Sequence, residues 1–101
     1  MKLFAVIRTR GPAWKPGLPL EEQVEWDAHA AFMDALEREG FVVLAGPLVD
    51  TADVLPIIRA TTSEEITNRL EKDPWTSRDL LHTTRISSWT LRLGSLPESV
   101  S

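Results

Sequence analysis

Two runs of this chain, Leu3–Ile7 and Phe41–Ala45, are apolar at every position. Successive side chains of a strand point to opposite faces, so strands of this kind need cover on both sides of their sheet. A third strand is expected over Val54–Ala60, where the internal Pro56 points to an edge strand or a bulge. A fourth is expected from about Thr83 to Leu93. There Trp89, Leu91 and Leu93 alternate in one phase and Ile86 in the other, which predicts a bulge near Ser87-Ser88. Two helices separate these strands. Leu20–Glu39 reads as one long helix with Glu21 and Glu22 at its positive end and Gly40 closing it. Thr62 and Glu65 form a capping box that opens a shorter helix, with Ile66 and Leu70 on one face and its end before Pro74. A connector over Trp75–Leu81 leads to the last strand.

The order strand, helix, strand, strand, helix, strand is an α+β, ferredoxin-like βαββαβ arrangement, with a four-stranded antiparallel sheet and both helices on one face. Two helices cover one sheet face only. The other is expected to meet a second copy of the chain in a closed twofold homodimer.

The 101 residues are enough for one domain, expected over residues 1–94 with a flexible polar tail at 95–101. A formal charge of −4 with no basic stripe argues against nucleic acid as a partner. The chain has no cysteine, which removes disulfides, thiolate metal sites and thiol nucleophiles and suits a cytoplasmic setting. No apolar run approaches the roughly 20 residues that span a bilayer, so no membrane association is expected. Two histidines far apart, without metal-ligand spacing, point to no metal site. No glycine-rich phosphate loop is present, and no cofactor is expected.

Within the first helix, His29 falls between Met33 and Leu36 at about 100° per residue, inside the face that must pack. A buried imidazole without a polar partner costs roughly 1–3 kcal/mol. Asp73, in Asp73-Pro74-Trp75, is the strongest candidate partner. Together they would form a His–Asp pair suited to general acid–base work, with the carboxylate fixing the imidazole tautomer. Each residue has a competing structural reading: a core histidine satisfied by a carbonyl, and an aspartate that merely forms a turn before proline. Trp26 lies one turn before His29, and Trp75 lies two residues after Asp73. Both are candidate walls of an apolar pocket. The segment Gly11–Pro19 holds three prolines and two glycines, so it is a loop. Its Trp14 is read as either a lid or a packing residue. Gly46-Pro47 ends a strand where small bulk would let a ligand approach the backbone. Arg8, Arg59 and Arg85, on or beside strands, could pair with an anionic substrate, although surface pairing is the commoner fate of such residues.

Taken in order, Leu3–Ile7, Trp26-Asp27-Ala28-His29, Phe41–Leu48, Asp73-Pro74-Trp75 and Ser88-Trp89 resemble the YCII-related family of the dimeric α/β-barrel superfamily. The resemblance spans Leu3 to about Leu93. It implies a ferredoxin-like subunit, a dimer formed through the sheets, and a cleft holding a histidine and an aspartate, at positions that match His29 and Asp73. A relative acts as a dehydrochlorinase on a chlorinated hydroxyquinol, and muconolactone isomerases share the superfamily fold. The chain departs from the family pattern at Arg78-Asp79, where a glycine is usual.

The expectation that follows is a homodimeric enzyme acting on a small, partly apolar molecule by proton abstraction, leading to elimination or isomerisation. His29 and Asp73 would be catalytic, with Trp14, Trp26, Gly46, Pro47 and Trp75 around the ligand. The alternative is a non-catalytic small-molecule-binding or accessory dimeric module.

Overall fold

In the computed structural model, which describes residues 1–96, four strands form one antiparallel sheet in the order β2-β3-β1-β4. Strand β1 spans Lys2–Arg10, β2 Val42–Pro47, β3 Asp53–Ala60 and β4 Leu81–Trp89. Helix α1 runs over Trp26–Arg38 and α2 over Ser63–Leu70, and a four-residue helix, α3, covers Pro74–Ser77. This is the ferredoxin-like α+β arrangement. The expected tail at 95–101 lies outside the described residues apart from Ser95 and Leu96.

The period of two in β1 sorts its side chains between the faces. Phe4, Val6 and Arg8 are buried, and Phe4 and Val6 share a core with Leu36 of α1 and Ile66 and Leu70 of α2. Leu3, Ala5 and Ile7 point the other way and are half-buried. Across the ladders that second face continues through Ile57 to Leu44 and from Leu3 to Trp89. Leu44 is 49% and Trp89 40% exposed. Among the described residues no helix covers this apolar face.

Several elements differ from the sequence reading. The long first helix is broken: Leu20–Glu22 is a single 3-10 turn, Glu25 takes a left-handed φ of 61°, and the α-helix begins only at Trp26. The break lets the Gln23 side chain turn back on the preceding loop. Its Nε2 donates to the carbonyls of Lys15 and Leu18, and its Oε1 accepts from the Lys15 N–H. At the other end Gly40, at φ 80°, closes α1 as expected. The Phe41 N–H bonds to the Leu36 carbonyl and the Gly40 N–H to that of Glu37, the paired bonds of a Schellman motif.

Pro56 is in neither an edge strand nor a bulge, because β3 lies between β2 and β1. Pairing with β1 passes from Ala5–Ile57 to Arg8–Val54 in one register. The rungs beside the proline, which has no N–H to give, are omitted.

No bulge forms at Ser87-Ser88. Ile86 pairs opposite Val6 and Trp89 opposite Leu3, so the two face opposite sides of a regular strand and no extra residue is needed. The irregularity instead falls at Thr84, between the Ile7–Arg85 and Arg8–Thr83 pairs, where its hydroxyl meets Thr9 Oγ1 at 2.8 Å. Strand β4 also stops at Trp89 rather than Leu93, which is 93% exposed. Its partner β1 begins at Lys2, leaving nothing to pair with beyond that point.

Half of the capping box forms at α2: Thr62 Oγ1 accepts from the Glu65 N–H, while the Glu65 side chain accepts from the N–H of Thr61, one residue before the cap. The connector after α2 contains α3, capped by Asp73. It is followed by Asp79 at φ 61°, a left-handed position in the segment where the resembled family carries glycine. The first loop docks on this turn: Gly11 N–H donates to the Leu80 carbonyl and Ala13 N–H to that of Asp79. A Cβ at Gly11 would collide with the Asp79 carbonyl oxygen. Gly11→Ala is therefore expected to destabilise the fold by about 1–3 kcal/mol, read as a lowered urea midpoint. An unchanged midpoint would show that the loop is free to shift.

Candidate functional site

Arg8 follows Phe4 and Val6 in the inward phase of β1, and it is 1% exposed. A charge placed there has to be paired. Its partner is Asp73, which is fully buried. Arg8 Nη1 donates to Asp73 Oδ2 at 2.8 Å, and Nη2 donates to Thr76 Oγ1 at 2.7 Å. Asp73 Oδ1 also accepts the Trp75 N–H at 3.0 Å as the cap of α3, with Pro74 at the first helical position. His29 Nδ1 completes the cluster at 2.9 Å from each carboxylate oxygen. Asp73 is thus a helix cap and the histidine's partner at once.

Burial alone would raise the Asp73 pKa. Hydrogen bonds from His29 and Arg8, the charge of His29 and the Trp75 N–H outweigh it, and hold the carboxyl below the usual carboxylate range. An ionised carboxylate can only accept, so Nδ1 carries a hydrogen, and in the neutral form of the ring the lone pair is on Nε2. Nε2 hydrogen-bonds to no described residue. The ring is held flat against Trp75, with centroids 3.7 Å apart and planes 5° from parallel. Trp75 is itself tethered, its Nε1 donating to the Val24 carbonyl at 2.7 Å, in the segment where the helix break leaves backbone groups free.

Six of the seven sequence-derived candidates line one cavity of about 300 Å³: Trp14, Trp26, His29, Gly46, Pro47 and Trp75. Asp73 lies behind His29, sealed from solvent. Trp14 packs edge-to-face on Trp75 at 5.4 Å and is 8% exposed. Its loop is hydrogen-bonded to Gln23 and to the Asp79–Leu80 turn, the arrangement of a packing residue in the wall. Gly46 needs no small side chain for packing, since a Cβ there would meet nothing within 4 Å.

Three residues around the cavity were not among the seven sequence-derived candidates. Arg8 belongs to the cluster rather than to a surface pair, and its place in the Phe4–Val6–Arg8 alternation was the available signal. Gln23 was hidden by the helix break. Arg10, on the cavity wall, stands over the Trp14 ring at 4.4 Å. A larger groove of about 530 Å³ lies between α2 and β4. It is lined mainly by threonines and charged side chains, and neither His29 nor Asp73 reaches it. Among the described residues no group of three or more histidine, aspartate or glutamate side chains is placed to hold a metal. No helix there is long and apolar enough to cross a membrane.

No family model matches the chain, and no curated protein matches it. Among solved structures it is similar to 5-chloro-2-hydroxyhydroquinone dehydrochlorinase from Burkholderia phenoliruptrix, in complex with 2,5-dihydroxybenzoquinone. The TM-score is 0.56 at 24% identity, over 91% of this chain and 95% of that one. The likeness is one of fold.

The depressed Asp73 carboxyl has a signed consequence. A pKa lower in the folded than in the unfolded state adds stability above the unfolded value, near pH ~3.9, and loses it as pH falls through the folded value. Asp73→Asn leaves Arg8 buried without its counter-charge and is expected to cost about 3–5 kcal/mol at neutral pH. That cost should shrink as pH falls from about 4, where the carboxyl of the unfolded chain protonates, through the lower value of the folded state. Urea denaturation of both proteins across the acid range tests this, and a difference independent of pH would contradict it.

Proposed function

We propose that this chain is an enzyme acting on a small, partly apolar molecule in the cavity beside His29, by proton transfer at carbon. The observation that carries the reading is the orientation of His29. Its Nδ1 is held by both oxygens of a buried carboxylate at 2.9 Å, and its Nε2 has no hydrogen-bond partner among the described residues, in a side chain that lines the cavity. In this reading Nε2 takes a proton from the bound molecule and the ring becomes imidazolium, stabilised by Asp73. The electron pair left on carbon then either expels a leaving group from the neighbouring atom or relocates a double bond, with the proton returned elsewhere. The fold is shared with a dehydrochlorinase, which makes an elimination a sensible first reaction to assay. Trp26 presents apolar surface, with the buried Trp75 and Trp14 packed behind it to exclude water, while Gly46 and Pro47 close the wall on the β2 side.

The working unit in this proposal is a homodimer through the sheet face left bare by the helices. The exposed Leu44 and Trp89, with Leu3, Ala5 and Ile7 behind them, support it, since a contiguous apolar face on a monomer is an association site. Sedimentation should show a dimer. Leu44→Glu combined with Trp89→Glu should shift it towards monomer without altering the His29 cluster on the opposite face. A monomeric wild type would remove this part of the proposal.

The chemistry is tested by incubating the protein in heavy water with a panel of small cyclic acids, lactones and chlorinated phenols. Deuterium incorporation or halide release is then followed. His29→Gln should lower the rate by about 10²–10⁴-fold while keeping the fold. A reaction that proceeds equally well in His29→Gln would end the assignment.

A further inference from the structure

The cavity beside His29 is rich in hydrogen-bond donors and positive charge and poor in groups to receive them. Neither aspartate nor glutamate occurs in its lining, although the chain as a whole carries a net charge of −4. Two arginines do. The charge of Arg8 is answered by Asp73. That of Arg10 is not: its side chain is exposed and forms no ion pair among the described residues. Its guanidinium instead lies over Trp14. That stack fixes a long, usually mobile side chain at the cavity wall. Two further N–H groups of lining residues, Trp14 Nε1 and Arg8 Nε, are buried without an acceptor. Indole and guanidinium nitrogens can only donate, and both atoms are closed to solvent, so against the two arginines the lining offers one ring-nitrogen acceptor, Nε2 of the neutral His29 ring.

The rest of the wall favours a flat molecule. Trp26 and Trp75 meet at 5.9 Å with planes 46° apart, and Met33 and Leu20 extend the apolar surface. At about 300 Å³ the cavity is at the small end of ligand sites, suited to a single ring.

We propose that this cavity takes a small planar organic anion: one ring bearing a carboxylate or phenolate oxygen, its face against the tryptophans and its charge on Arg10. The inference rests on the reading of this cavity as the ligand site, but not on proton transfer by His29. A guanidinium meets an anionic oxygen through short, charge-assisted hydrogen bonds. A neutral ring of the same shape gains only the apolar contact.

Calorimetric titration of the intact protein tests this, at about pH 8 so that an ordinary histidine ring is neutral. The ligands are benzoate, its neutral isostere benzamide, and 4-nitrophenolate. At least one of the two anions is expected to bind about tenfold more tightly than benzamide, and the tighter one tells a carboxylate from a phenolate. Arg10→Gln should remove that preference while leaving benzamide unaffected, and Arg10→Lys should restore part of it. Equal affinity for anions and benzamide, an anion preference that survives Arg10→Gln, or no binding of any of the three would each overturn the proposal. His29→Gln separates it from the enzymatic reading. Anion preference retained there, with no proton exchange found in the wild type, defeats catalysis and leaves this inference standing.

Discussion

The carboxylate of Asp73 is the point on which this structure turns. It draws together Arg8 from the central strand, His29 from the first helix and the Trp75 N–H from the short helix that it caps. Each of these donors is taken from water by the fold and would be costly left alone. Ion pairs sealed from solvent recover little net stability, because desolvation offsets most of the attraction. The cluster's consequence is geometric: a strand, a helix and a turn distant in sequence are held in one relative position, and the imidazole in one tautomer.

Around that cluster the tryptophans form a second level of constraint. Trp75 stacks on His29, takes the edge of Trp14 and ties its own indole N–H to the backbone before α1. Trp14 sits on a loop that would be free to move by composition alone. Gln23 and the Asp79–Leu80 turn hold its backbone in place. The cavity is therefore preorganised, with walls and polar edge both set by the fold rather than by a ligand.

Much of the fold was legible because hydrophobic period, caps and breakers agreed. The apolar runs became β1 and β2, Thr62–Glu65 capped α2, and Gly40 terminated α1. The misreadings share a cause: each depended on a partner. Pro56 could enter an interior strand because β1 omits the rungs beside it. The end of β4 was set by where β1 begins. The first helix broke because Gln23 was needed by the loop. Within the site, the pairing of His29 with Asp73 was legible from the misfit of an imidazole on a packing face. Arg8 was not, since a charge after an apolar run reads as the end of a strand.

What the residues alone determined is the four strands and two main helices, their order and the presence of a polar group where an apolar one belongs. These follow from local periodicity, which each segment carries within itself. What only the tertiary structure decided is which groups meet: the Arg8–Asp73–His29 cluster, the stack of His29 on Trp75 and the Arg10–Trp14 stack. The residues in those contacts are brought together by packing and pairing between segments, and the burial that makes their charges and hydrogen bonds matter exists only once the sheet and helices have closed on one another.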